Sequence, residues 1–391
     1  MNMLRLLVIP LVAACAVVHR PATTVEQLQR DGIAARITER STRDSVIERL
    51  VRRAIVRGDK TLDVLMLSGG GQNGAFGTGF LRGWHARADM PMPRFDLVTG
   101  VSTGALQAPY ALVGTAKALD TITAIYGRAA ESIAPSIDWL FWLRKTGGLV
   151  NTKKFDRALH ESIGGAFRGE LVRAFAEDRQ LLIGTSDFDL AIGRSWSLGE
   201  SLDTTSTGLN RTAMLLKAAT AIPGIFPPVM VDGHVHGDGG IVSNVLLLLT
   251  FEDYQQLARR LAEKGLTDVT IRVFVIMNFW SHAPPEIISP SNRKQITARS
   301  NTMLFFAHQP QTLEDLSNLA RAVTSQVRGL HVELKVATLD AQFALEPGAS
   351  KLFEHAFMQQ LDKLGYVKAQ SNSPWDKLPS AYERPPIVKE R

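Results

Sequence analysis

Between Asp63 and Tyr110 the chain reads DVLMLSGGGQNGAFGTGFLRGW…FDLVTGVSTGALQAPY, and this stretch limits what the rest can fold into. DVLML is a short apolar run of strand formers, stopped by glycines that free the backbone. GAFGTGFLRGW has helical spacing, with Phe76, Phe80 and Trp84 at i, i+4 and i+8. FDLVTG is a second buried-strand run, and TGALQAPYALVG turns back into helix. Between that strand and helix lies Gly100-Val101-Ser102-Thr103-Gly104, a match to G-x-S-x-G. A serine at such a strand-to-helix elbow is held in a strained conformation, and only glycine at Gly100 and Gly104 lets the flanking backbone approach so closely. It is exposed at the carboxyl end of its strand and reads as a nucleophile. The alternative is an ordinary helix N-cap serine.

A serine hydroxyl is a weak nucleophile until a base takes its proton. Of the nine histidines, His282, His308, His331 and His355 follow Asp238 in the order that a Ser–acid–His triad requires. None has a glycine-rich or loop context, which suits surface or core residues better. His234 and His236 alternate along one strand and face one way, but zinc would need further ligands that are not spaced nearby. No metal is expected. Asp238 fits a base better, set in Gly237-Asp238-Gly239-Gly240 at the end of a strand. In a partly desolvated cleft its pKa would rise toward a useful range. The plainer reading is an Asp-Gly turn. Upstream, Gly69-Gly70-Gly71-Gln72-Asn73-Gly74 opens a helix, and its consecutive amides form a donor nest suited to an oxyanion.

The same glycines also match G-x-G-x-x-G at Gly69, Gly71 and Gly74. A dinucleotide site would need an acidic residue at the end of the second strand, where Val98-Thr99-Gly100-Val101-Ser102 stands instead. A P-loop would need lysine at Ala75. Nucleotide binding is therefore not expected, nor any other cofactor.

Apolar residues are 45% and charged residues 21% of the 391, the balance of a chain with a sizeable core. The net charge of +6 is modest. Its excess, gathered between Arg30 and Lys60, suits weak attraction to anionic lipid rather than a nucleic-acid groove. No later apolar run reaches the roughly 20 residues of a membrane span. The single cysteine, Cys15, excludes an intramolecular disulfide. Before it come Arg5, an apolar core from Leu6 to Ala14, and the small pair Ala13-Ala14, the layout of a signal peptide over residues 1–14. Val12-Ala13-Ala14-Cys15 resembles the bacterial lipoprotein signal, in which the cysteine is acylated. That implies a lipid anchor in the cell envelope, on the periplasmic side of the outer membrane. An ordinary cleaved signal and a secreted or periplasmic protein are the alternative.

Residues 15–44 read as a polar tether. Ser45-Val46-Ile47-Glu48 fits a capping box, followed by the stripe Ile47, Leu50, Val51, Ala54, Ile55, with Arg49, Arg52, Arg53 and Arg57 as a solvated face. Trp139, Phe141 and Trp142 form either an interfacial flap or a satellite core. RQLLIGTSDFDLAIGRSWSLG predicts two strands, GLNRTAMLLKAATAI a helix, and Asp232-Gly233 a hairpin turn. A helix over 251–264, a strand VTIRVFVIM, helices around 291–330, a strand HVELKVATL and a helix over 350–364 follow. Residues 370–391 read as a loose tail. Strands alternating with helices predict a three-layer α/β/α domain over 45–369 with a mostly parallel central sheet.

Four blocks, SGGGQNGAF at 68–76, GVSTG at 100–104, AATAIPGIFPPV at 218–229 and DGGIVSN at 238–244, resemble the patatin-like phospholipases. The resemblance implies the three-layer fold of that family and a Ser-Asp dyad. Ser102 would be the nucleophile, Asp238 the base, and the amides of Gly70, Gly71 and Gln72 the oxyanion hole. Gly69, Gly74, Gly100, Gly104, Gly239 and Gly240 would shape the backbone around them. It further implies a lipid acyl hydrolase acting on membrane lipid or another acyl ester. Three positions depart from the family pattern: Asn73 replaces a basic residue, Ala219 a common serine, and Leu246 a frequent proline. Two other readings stay open, a histidine-assisted esterase or thioesterase and a catalytically silent lipid-binding lipoprotein.

Overall fold

Strand β1 (Thr61–Leu67) alternates its side chains between two cores: Leu65 and Leu67 enter one, Leu62, Val64 and Met66 the other. Both faces of the sheet are thus covered, which is why the strands read as continuous apolar runs. A computed structural model gives this fold and describes residues 20, 22–128, 136–137, 147–279, 285–351 and 353–377. The signal segment, Cys15, the aromatic group at 139–142, His282 and residues 378–391 lie outside the described residues.

After β1 come α2 (Gly74–His85), β2 (Leu97–Val101), α3 (Thr103–Val113) and α4 (Ala116–Gly127), as the sequence predicts. A two-stranded ribbon, β3 (Ser136–Ile137) with β4 (Val150–Asn151), stands apart from the main sheet. The main sheet continues with β5 (Gln180–Asp187), β6 (Ile192–Ser197), β7 (Val229–Val231), β8 (His234–Asp238), β9 (Val269–Met277) and β10 (Leu330–Thr338). Its spatial order is β10-β9-β1-β2-β5-β8-β7, with β6 on the other edge of β5. From β10 to β5 neighbouring strands are parallel, and β6, β8 and β7 join antiparallel to the strands they pair with. Asp232 and Gly233 both take positive φ in the β7–β8 hairpin, the geometry of the tight turn their pairing predicts.

One helical layer holds α2, α3, α4 and the last helix, His355–Gln370; the other holds α1 (Val25–Arg57) and the helices Phe251–Glu263 and Arg293–Gln326. This is the expected three-layer α/β/α arrangement around a mostly parallel sheet.

Four expectations change. Residues 25–44, expected as part of a tether, are the first twenty residues of α1, capped by Thr24 rather than within the Ser45–Glu48 box. Apolar periodicity is blind to this half because it docks through polar contacts. Glu39 accepts from the Ser195 amide and pairs with Arg194, Asp31 meets His234, and Asp44 accepts from Gln256. The arginine face is not simply solvated either. Arg53 and Arg57 reach the fully buried Asp96 at 2.8 and 2.7 Å, and Arg57 and Arg272 both bind the fully buried Asp63. Within the same helix Ile55 is exposed, not part of the stripe. The start of the expected loose tail is fixed: Trp375 packs edge-on or tilted, at 5.0–5.4 Å between ring centres, against Phe80, Trp84 and Phe274, and Asp376 accepts from Thr338 and Lys368.

The glycines of α2 explain how the last helix is held. A Cβ on Gly79 would fall 2.0 Å from the Asp362 carbonyl oxygen, and one on Gly83 2.6 Å from that of Tyr366. These residues, one turn apart, let two helices pack backbone to backbone. Gly79→Ala should therefore destabilise the protein by about 1–3 kcal/mol through overpacking. Gly127→Ala, at the end of α4 with no atom within 4 Å of an added Cβ, should be neutral or slightly stabilising. Urea unfolding of the two variants gives the comparison.

Candidate active site

Strand β2 runs parallel to β5 and ends with Val101 opposite Gly184. Strand β8 runs antiparallel to β5 and ends with Asp238 opposite Thr185. Since β6 covers the other edge of β5 from Leu182 to Asp187, β2 and β8 share one edge and meet head to head at the Gly184–Thr185 peptide. Ser102 and Asp238, 136 positions apart, are brought together there, with Ser102 Oγ donating to Asp238 Oδ2 at 2.6 Å. The other carboxylate oxygen, Oδ1, accepts from the Gly240 amide at 2.8 Å.

Ser102 has φ 51 and ψ −123, a strained conformation for a residue with a side chain. The elbow packs tightly: a Cβ on Gly104 would lie 2.2 Å from the Leu67 carbonyl oxygen, and one on Gly69 3.0 Å from the Ser102 Cβ. Ser102 and Asp238 keep only 7% and 6% of their surface exposed. Burial pushes the Asp238 carboxyl up to about 6, against the opposing pull of the Ser102 hydroxyl and the Gly240 amide.

The glycine loop lies beside this pair, because β1 and β2 end in register, Leu67 opposite Gly100. Gly71–Asn73 form one 3-10 turn that leads into α2. The amides of Gly70, Gly71 and Gln72 have no backbone acceptor among the described residues. They are the first donors of a helical segment, the groups that a helix leaves unpaired. Gly71 and Ser102 line the same cavity, of about 420 Å³. Its walls are mainly apolar, with Leu106, Tyr110, Ile122, Phe155, Leu159 and Phe226 among them. Asp238 sits behind the serine rather than on the wall.

Sequence reading missed the network that holds the loop. Asn278, just past β9, donates from Nδ2 to the Ser68 carbonyl and to Gln107 Oε1, and its amide donates to Ser68 Oγ. Gln107 on α3 donates in turn to the Gly74 carbonyl at 2.6 Å. The position of Asn278 after a strand's carboxyl end was the available signal, since sites in such sheets form there. Asn244 closes the loop from the other side, its carbonyl accepting from the Gly69 amide. Asn73, at the family's basic position, is buried.

Among the described side chains, no histidine bonds the Ser102 hydroxyl or the Asp238 carboxylate. His331 and His355 are exposed, His282 is outside the described residues, and so is the side chain of His308. His236 bonds Thr185 Oγ1 through Nδ1. His234 meets Asp187 and, with Asp189, brings three potential ligand atoms within 4.8 Å, nearer than the spacing suggested. Their oxygens already serve the fold: Asp187 Oδ1 accepts from the amides of Asp189 and Leu190, while Asp189 binds the Val235 amide and Arg20.

A serine on a strand-to-helix elbow, bonded to a buried aspartate at the carboxyl ends of a parallel sheet, defines the class: an α/β protein with a nucleophile-elbow site. The family described as "Patatin-like phospholipase" matches this chain over residues 65–251. Among solved structures, that of VipD from Legionella pneumophila aligns with a TM-score of 0.34 and 16% identity, covering 79% of this chain and 66% of that one. The chain thus spans just under two thirds of the length of VipD. No curated protein matches the sequence.

The raised carboxyl also bears on stability. A folded-state pKa of about 6 against an ordinary 3.8 means that the stability contribution of protonated Asp238 is complete below the lower value. It is lost as pH rises through about 6. Asp238→Asn should therefore stabilise the fold at pH 8, by up to about 3 kcal/mol, with the gain shrinking toward zero near pH 4. Urea midpoints of both proteins at the two pH values measure it.

Proposed function

We propose that the protein is a lipid acyl hydrolase in which Ser102 and Asp238 act as a catalytic dyad. The observation that carries this reading is the 2.6 Å hydrogen bond to a buried carboxylate from Oγ of Ser102, a residue that lines an apolar cavity. Asp238 accepts the serine proton as Oγ attacks the carbonyl carbon of an acyl ester. The amides of Gly70, Gly71 and Gln72 donate to the oxyanion, which collapses to an acyl-serine as the alcohol leaves with a proton. Water, deprotonated by the same carboxylate, then releases the fatty acid and restores the hydroxyl. The cavity walls suit the hydrocarbon chain, which fits a domain of a lipid-hydrolysing family.

An aspartate at its ordinary pKa would be too weak a base for this task. Held near 6, it stays ionised at neutral pH yet gains proton affinity. The ionised form is the active one, so kcat/KM for p-nitrophenyl octanoate should climb through a midpoint near pH 6 and level off above it. Ser102→Ala and Asp238→Asn should each lower turnover by at least about a thousandfold. Ser102→Ala should also abolish labelling by a fluorophosphonate. Full activity in either variant would remove the dyad.

The same proposal extends to location. Acylation of Cys15 after loss of residues 1–14 would hold the enzyme at the bacterial envelope, beside its substrate. Radiolabelled palmitate should then enter the protein in growing cells and fail to enter Cys15→Ser. Absence of label from both would leave a secreted or periplasmic enzyme instead.

A further inference from the structure

Residue Gln72 contributes its amide to the glycine loop, but its side chain points away from Ser102 toward a different part of the chain. Its Nε2 donates to the carbonyls of Gly348 and Lys351 at 3.0 and 2.6 Å, and its Oε1 accepts from the Glu354 amide at 2.9 Å. With 7% of its surface exposed, Gln72 is a buried clamp with three of its hydrogen-bonding directions used. It fastens the segment between β10 and the last helix, more than ninety residues beyond the matched family region, which ends at 251.

Within the clamped segment stands Phe353. Its φ of 54 is a left-handed conformation that a bulky side chain seldom adopts without being held there. The restraints are Gln72's bonds to Lys351 and Glu354 on either side of it, and the helix cap in which Glu354 accepts from the Phe357 amide. So held, Phe353 packs against the core and lines the same cavity as Gly71 and Ser102. An acyl chain that fills this cavity would pack against the ring.

We propose that Phe353 is a specificity-determining residue for the acyl chain and that Gln72 is its positioning residue, coupling the oxyanion loop to the cavity wall. This rests on the hydrolase reading above for its kinetic consequence, but not for the binding of the chain itself.

The test uses the full chain as Phe353→Ala, Gln72→Ala, the double variant and Phe353→Leu. Each is measured for kcat/KM on p-nitrophenyl butyrate and octanoate and for affinity toward dansylated undecanoic acid. Losing the ring should lower the octanoate-to-butyrate ratio about four- to fifteenfold, the worth of one or two methylenes returned to water. Dansylundecanoate should weaken by a similar factor. Phe353→Leu should recover most of both, and Gln72→Ala should reproduce the loss. The double variant should be no worse than either single, since both remove the same contact. An unchanged ratio and affinity in Phe353→Ala overturns the proposal. So does a uniform fall of kcat in Gln72→Ala at both chain lengths, which would place its effect on the glycine loop alone. Absence of ester turnover together with absence of fluorophosphonate labelling would instead sink the hydrolase reading, and the dansylundecanoate affinities would then decide the role of Phe353.

Discussion

The geometry of the candidate active site depends on one feature of the sheet: two strands that run toward each other along a single edge of β5. β2 stops opposite Gly184 and β8 stops opposite Thr185, so their last residues face across one peptide unit. Gly239 lets the second strand turn away at that point, since a Cβ there would lie 2.5 Å from the Gly184 carbonyl oxygen. The short reach of Asp238 suffices because the backbone has already closed the gap. The proposed dyad needs no longer or more flexible base, since both of its residues stand at the ends of strands in one sheet.

Rigidity at this end is matched by polar anchoring at the other. Asp63 and Asp96, both without solvent exposure, share Arg57 and are bound further by Arg272 and Arg53. Asp96 Oδ2 also accepts from the Asp63 amide. Two buried carboxylates side by side would repel strongly without these cations, so α1 docks on the amino ends of β1 and β2 through charge as well as apolar contact. The register between β1 and β2 that this fixes is the register that places the glycine loop beside Ser102.

How much of this could be read in the sequence follows from the range of each interaction. The β1–α2–β2–α3 run was legible because apolar spacing and glycine breaks are local, and so was the hairpin that leads to Asp238. The elbow and the Gly-Asp-Gly-Gly turn carried their residues into view for the same reason. What stayed hidden depends on partners far along the chain. Asn278 touches Gln107 across 171 positions, and Gln72 touches Glu354 across 282. The first half of α1 escaped because its contacts, Glu39 to Ser195 and Asp31 to His234, are polar and leave no hydrophobic period. Gly79 and Gly83 carry no signal inside their helical run, and their function, the close approach of a second helix, is supplied only by the fold.

The remaining question is why such a site should keep an aspartate so far from water. Both of its unusual features cost stability, Ser102 through its backbone and Asp238 through desolvation. Solvent would relieve the second, but it would also return the carboxyl toward its ordinary range, where it binds a proton too weakly to draw one from a serine. Sealing the pair behind Gly69, Gly104 and Gly239 holds the carboxyl near 6 while leaving the serine open to the cavity. A histidine would reach that range without burial, having an unperturbed pKa of roughly 6.5. An aspartate reaches it only through packing, so in the proposed reaction the base strength is a property of the core, not of the residue alone.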